Sequence, residues 1–130
     1  MALLAMFPGQ GSQFVGMGKE ALAEFPLAVR TFEEAEDAIR INLRRLCLEG
    51  PADELELTSN QQPCILTLSI VIWRILAEEA GLKSDYFAGH SLGEYSALVS
   101  AGKLAFADAV RLVRARGEAM QRAVPRGVGA

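Results

Sequence analysis

A chain of 130 residues, 51% apolar and 22% charged, has the size and composition of one ordinary globular domain, which excludes a disordered or collagen-like polypeptide. Its apolar stretches are broken by Ser, Thr, Arg or Gly well short of the roughly 18 to 20 residues that a membrane span requires, so no transmembrane helix is expected. The net charge of −3 divides into an acidic part, residues 1–110 with 8 Lys/Arg and 15 Asp/Glu, and a basic part, residues 111–130 with 5 and 1, a balance that does not indicate bulk nucleic-acid binding.

Residues 2–7 form a short apolar run stopped by Pro8-Gly9, the pattern of a fully buried strand. Their uncharged start lacks the basic region of a secretory signal, and the chain reads as cytoplasmic. A glycine-rich loop, residues 9–18, follows. From Lys19 the pattern turns helical, with Pro26 separating a short piece from a second one. In that second piece Ala28, Phe32, Ala35 and Ile39 share a face, and Glu33, Glu34, Glu36 and Asp37 face solvent. Asn42 is placed to cap a short helix through Leu46, ended by Gly50-Pro51.

Ser59 or Asn60 is then expected to cap a longer helix with Pro63 in its first turn, running to Glu79 and closed by Gly81. Ile65, Leu66, Leu68, Ile70, Val71, Ile72, Ile75 and Leu76 cover most of its circumference, which predicts a central helix packed on nearly all sides. A buried strand end is expected over 86–89, a helix over 92–101 stopped by Gly102, and a last helix over 106–123 ended by Pro125. Val110, Val113, Gly117 and Met120 lie along one stripe of that last helix. The order is that of an α/β fold with a parallel sheet and flanking helices in one continuous domain, since no repeat or linker interrupts it. Cys47 and Cys64, too few for a disulfide framework, are expected to be buried thiols, and with His90 the only histidine no zinc constellation can be assembled.

The chemistry concentrates in Gly89-His90-Ser91-Leu92-Gly93, a Gly-x-Ser-x-Gly sequence between an expected strand and an expected helix. That is the setting of a nucleophile elbow, in which flanking glycines permit a tight turn that lifts the serine hydroxyl clear of the sheet. The residue-level alternative is that Ser91 only caps the following helix. Gly11 to Gly16 has Walker A spacing, but Met17 stands where the lysine belongs, and Phe14 removes the third glycine of a dinucleotide fingerprint. A glycine loop after the first strand can instead offer a backbone amide to an oxyanion, or be a plain tight turn.

Together, Phe7-Pro8-Gly9-Gln10-Gly11-Ser12-Gln13, Gln61-Gln62-Pro63, Gly89-His90-Ser91-Leu92-Gly93-Glu94-Tyr95-Ser96-Ala97-Leu98 and Arg116-Gly117, in this order and spacing, closely resemble malonyl-CoA:acyl carrier protein transacylase. Acyltransferase domains of polyketide and fatty acid synthases share these motifs, and the position of Met1 favours a stand-alone enzyme. The resemblance implies that residues 1–130 are the N-terminal part of an α/β-hydrolase-like large subdomain, ending near the start of a small ferredoxin-like subdomain. It further implies that Ser91 is the nucleophile, that the Gln10 and Leu92 amides form the oxyanion hole, and that the Arg116 guanidinium holds the malonyl carboxylate. Gln62 is implied as a polar residue near the pocket and His90 as a lining residue.

The implied substrate is malonyl-CoA and the implied partner is acyl carrier protein in fatty acid biosynthesis. No cofactor is implied beyond the carrier's phosphopantetheine. The family's catalytic histidine lies far downstream of the serine motif, so the remainder of its own chain is a further expected partner, and residues 1–130 alone are expected to be inactive. His90, adjacent to the serine on a sharp turn, should point away from it and serve poorly as a base. Arg111, Arg114, Arg116, Arg122 and Arg126 either attract an acidic carrier or form a solvated helix face, and Arg116 has the plain alternative of a surface cation. Two other functional readings stand beside the transacylase. One is an esterase of the α/β-hydrolase type, although the His-Gly-Gly-Gly loop it should carry is absent. The other is a non-catalytic truncated or split product.

Overall fold

The computed structural model describes residues 1–125, so Arg126 of the expected basic cluster lies outside the described residues. Their order is β1 (Leu4–Phe7), α1 (Lys19–Glu24), α2 (Pro26–Ile39), α3 (Leu43–Glu49), α4 (Ala52–Leu55), α5 (Thr58–Arg74), β2 (Tyr86–Gly89), α6 (Gly93–Ser100) and α7 (Phe106–Ala123). It is a helix-rich α/β arrangement in which β1 and β2 pair in parallel, with Leu4 opposite Tyr86 and Phe7 opposite Gly89. No helix among the described residues is long and apolar enough to cross a membrane.

Most punctuation acts as the sequence suggests. Pro26 opens α2 as its first residue, where its missing N–H is harmless, and Asn42 caps α3 by accepting from the Arg45 N–H at 3.1 Å. The strands and the central helix depart from expectation. Helix α5 begins at Thr58, before both expected caps, with Leu57 at its N-cap. The Asn60 side chain instead donates to the Glu54 carbonyl and accepts from Arg114, because the unexpected short helix α4 ends directly beneath it. Beyond Arg74 the helix widens into a π-helical turn, Ile75–Glu79.

Helix α5 is central, as expected, and packs along α7, α2 and α6, but it is not enclosed on nearly all sides. Ile72 and Leu76 remain exposed, and neither strand is the buried strand that its composition predicts, with Leu4 at 50% and Met6 at 76% exposure. The reason is topological. A parallel sheet is buried when elements cover both faces, and two strands leave free edges and an open face. Trp73 of α5 closes part of that gap by standing edge-on to Phe7 and Phe87, at centroid distances of 6.5 and 5.2 Å. Beside it runs an apolar groove of about 410 Å³ lined by β1, Ile65, Leu68, Ile72, Leu76 and Leu82.

The core lies among α2, α3, α5 and α7, where Phe32, Leu43, Leu66, Ile70 and Val110 are excluded from solvent. Cys47 and Cys64 are both buried in it as free thiols. A hydrogen bond with Cys47, together with burial, pushes the Cys64 thiol far above its ordinary range, so the reactive thiolate is suppressed. The α5–α7 seam depends on Gly117, at which a Cβ would stand 2.7 Å from both the Ser59 Cα and the Thr58 carbonyl oxygen. Both are backbone atoms and cannot rotate away.

Gly117→Ala is expected to destabilise the chain by about 1–3 kcal/mol through overpacking, despite the better helix propensity of alanine, as a lower urea midpoint at unchanged slope. The open groove predicts enhanced fluorescence of anilinonaphthalene sulfonate with the native 130-residue chain, reduced in Ile72→Asp.

Candidate active site

Strands β1 and β2 end side by side, and the polypeptide leaves both at the same edge of the sheet. The carboxyl ends of parallel strands are where α/β folds place their ligands, because the loops diverge there and backbone groups are free. The His90 N–H still donates to the Phe7 carbonyl at 3.2 Å, after which the chain turns sharply through Ser91 into α6. Ser91 has φ of 53°, a left-handed conformation that a non-glycine residue rarely adopts, and its side chain is exposed at the tip of the turn.

Two glycines allow this turn by removing Cβ atoms. A Cβ on Gly89 would overlap the Gly93 carbonyl, and one on Gly93 would overlap the Phe7 carbonyl of β1. The Gly93 N–H donates to the His90 carbonyl at 2.9 Å and the Glu94 N–H to that of Ser91 at 3.0 Å, which close the elbow. Leu92 anchors it, the whole residue being buried in the core directly after the exposed Ser91. The loop after β1 packs against the same turn, since a Cβ on Gly9 would stand 2.6 Å from the His90 carbonyl oxygen. Gln10 is tethered beyond it by its Nε2 donating to Thr58 Oγ1 at 3.3 Å. Among the described residues, the Gln10 and Leu92 amides have no hydrogen-bond acceptor. They are two backbone donors left free in the segments next to the elbow.

Helix α7 brings Arg116 to the elbow. Its Nη2 donates to Ser91 Oγ at 3.1 Å, and its Nη1 donates to Gln62 Oε1 at 2.8 Å. Gln62 is fully buried in α5, and its Nε2 donates to Met120 Sδ at 3.3 Å, so both ends of the amide are partnered. The Tyr95 ring supplies a third contact, with Arg116 Cζ 5.8 Å from its centroid.

Ser91, Arg116 and Gln62 are therefore brought together as one connected set, with Leu92 next to the serine and Gln10 held one residue beyond the Gly9–His90 contact. Ser91 is no helix cap, because its hydroxyl accepts from Arg116 and no side chain caps α6. Arg116 is half-buried, with one nitrogen on the buried Gln62 and the other on the exposed serine. Of the other cluster arginines, Arg111 pairs with Asp108, and Arg114 joins α7 to Ser59 and Asn60 at 2.7 Å each. His90 is exposed and, among the described residues, makes no hydrogen bond with Ser91, as its place on the turn predicts. Sequence reasoning missed Tyr95, Thr58 and Met120 as supports. Tyr95 stood in the serine motif and Met120 in the stripe of the last helix, but only their spacing of one helical turn from Ser91 and Arg116 pointed to the site.

A family model described as "Acyl transferase domain" matches residues 5–130. The chain belongs to the acyl transferase domain family. Among relatives within it, the malonyl CoA-acyl carrier protein transacylase of Bacillus subtilis strain 168 is 55% identical over 96% of this chain and 39% of its own length. That of Salmonella typhimurium is 52% identical, covering 95% and 40%. The solved malonyl CoA-acyl carrier protein transacylase of Coxiella burnetii superposes with a TM-score of 0.93 at 44% identity, over 96% of this chain and 40% of that one. Another solved relative, with a TM-score of 0.91 at 46% identity, is a malonyl-transacylase in complex with its type II polyketide synthase acyl carrier protein; 96% of this chain and 40% of that one are covered. The chain thus spans about two-fifths of the length of these relatives.

Gly93→Ala is expected to force β1 away from the elbow, because the clash is between backbone atoms. A loss of roughly 1–3 kcal/mol or more is expected in urea unfolding, and Gly93→Ser should do no better.

Proposed function

We propose that this chain forms the nucleophile-bearing part of a malonyl-CoA:acyl carrier protein transacylase acting in fatty acid biosynthesis. Residues 1–130 are read as the N-terminal segment of its large subdomain, with the small ferredoxin-like subdomain in the part of the relatives' length that they do not cover. Ser91 Oγ attacks the thioester carbonyl of malonyl-CoA, and the resulting oxyanion faces the Gln10 and Leu92 amides. Collapse expels the coenzyme A thiolate and leaves a malonyl ester on Ser91. The phosphopantetheine thiol of acyl carrier protein then attacks that ester, and Ser91 is released. No other cofactor takes part. The general base is a histidine outside residues 1–130, since His90 makes no hydrogen bond with Ser91. Free thiols at Cys47 and Cys64 are in keeping with a reducing, cytoplasmic compartment.

The observation that carries this reading is the place of Arg116. A guanidinium one hydrogen bond from the nucleophile will face the far end of a short acyl group on Ser91, where malonyl carries a carboxylate. It can meet that carboxylate with two parallel charge-assisted hydrogen bonds, a geometry lysine cannot reproduce. A plain ester offers it no partner, which disfavours the esterase reading.

Incubating the intact protein with malonyl-CoA is expected to add one malonyl group to the peptide containing Ser91, and Ser91→Ala to abolish the adduct. An adduct persisting in that variant overturns the assignment. With the acyl pocket closed over the half-exposed guanidinium, removing one partner of the then-buried ion pair costs about 3–5 kcal/mol, so Arg116→Ala should lower kcat/KM for malonyl-CoA by roughly two to three and a half orders of magnitude. The value for acetyl-CoA should fall much less, and an equal fall for both substrates would make Arg116 a structural residue.

A further inference from the structure

We propose that Tyr95 is a positioning residue for carboxylate recognition, holding the Arg116 guanidinium against its ring face without neutralising it. The proposal rests on the transacylase reading given above, in which Arg116 binds the acyl carboxylate.

The contacts of Arg116 are all with uncharged groups. Gln62 Oε1 takes Nη1, Ser91 Oγ takes Nη2, and the Tyr95 ring lies 5.8 Å from Cζ, within the roughly 6 Å over which an aromatic face attracts a cation. Among the described residues no carboxylate pairs with Arg116, as none pairs with Arg30, Arg40 or Arg122, whereas Arg44, Arg45, Arg74, Arg111 and Arg114 each pair with at least one; unlike those other unpaired arginines, Arg116 is held by hydrogen bonds and a ring. The difference matters for binding. A resident carboxylate would fix the guanidinium equally well, but an incoming malonyl group would then have to displace it. An aromatic face restrains the cation through its quadrupole and leaves its positive charge uncompensated, with Nη2 held only by the neutral Ser91 hydroxyl.

Tyr95 is suited to this by its place in the chain. It lies one helical turn after Ser91 on α6, and its N–H donates to the Leu92 carbonyl at 3.0 Å. The nucleophile and the ring are thereby carried on one rigid turn, so the ring sets the distance between Ser91 and the guanidinium that α7 brings from the other side. The side chain is half-buried, and its hydroxyl has no hydrogen bond among the described residues. It is the ring that is used.

The test is kcat/KM for malonyl-CoA and acetyl-CoA in the intact enzyme carrying Tyr95→Phe, Tyr95→Leu, Tyr95→Met, Arg116→Ala or Arg116→Ala with Tyr95→Leu, thermal unfolding being followed in parallel. Tyr95→Phe should keep the malonyl to acetyl ratio within about twofold. Tyr95→Leu should lower it by about three- to tenfold, mostly through KM for malonyl-CoA, and Tyr95→Met, closer in volume, should do the same if the leucine variant is poorly folded. In the Arg116→Ala background Tyr95→Leu should change the ratio no further. If Arg116→Ala lowers the ratio but both Tyr95 variants leave it unchanged, or lower both substrates equally, Tyr95 is only a packing residue and the inference falls. If Arg116→Ala itself leaves the ratio unchanged, the transacylase reading of Arg116 fails and the role of Tyr95 with it.

Discussion

The first turn of α6 touches the end of β1 backbone to backbone, and the rest of the site depends on that contact. Gly93 lies so close to the Phe7 carbonyl, and Gly89 to the Gly93 carbonyl, that neither position has room for a Cβ. This crowding sets the sharpness of the turn between β2 and α6. Sharpness in turn leaves Ser91 at its apex with a positive φ, a strained conformation that is kept because the buried Leu92 side chain and the parallel strand pair hold both ends. The loop after β1 is drawn in by the same crowding, as Gly9 meets the His90 carbonyl one residue before the serine.

A second close approach governs the other half of the site. Gly117 lets α7 sit directly on the first turn of α5, and the residues flanking it reach across the seam. Arg114 ties α7 to the Ser59 carbonyl and Asn60, and Gln121 accepts from the Thr58 N–H, satisfying backbone groups that the first turn of α5 leaves open. Arg116, between these anchors, has its guanidinium delivered to Gln62 and Ser91 rather than left in solvent. The two glycine contacts meet at one place: one fixes the nucleophile, the other fixes the cation that faces it.

The chain's exposed surfaces have the same structural origin as its site. Two parallel strands suffice to position an elbow, because the elbow needs only the carboxyl ends of adjacent strands. They do not suffice to bury themselves. Met6, Leu4 and Ile72 therefore stay in contact with water although their composition is that of an interior. The chain spans about two-fifths of its relatives' length, and burial is the property most sensitive to what else is packed nearby.

What the sequence determined by itself was local. Pro26, Asn42 and the glycines act on the backbone within a few residues, so helix limits and the Gly-x-Ser-x-Gly turn were legible one segment at a time. The resemblance carried by the four motifs also named Ser91, Gln10, Leu92, Gln62 and Arg116 as belonging together. Other features were decided only by tertiary packing. The first turn of α5 was misjudged because its partners, Glu54 in α4 and Arg114 in α7, lie outside the window in which a capping pattern is read. The exposed strands were misjudged because composition records what a residue prefers and not whether a neighbour is there to cover it. The resemblance grouped Gln62, Ser91 and Arg116, but the hydrogen bonds that join them, across sequence separations of 54 and 25 residues, were not legible for the same reason. Local patterns specify backbone conformation, but which side chains meet across such distances follows from how closely two helices can pack, and here that is set by the single missing Cβ at Gly117.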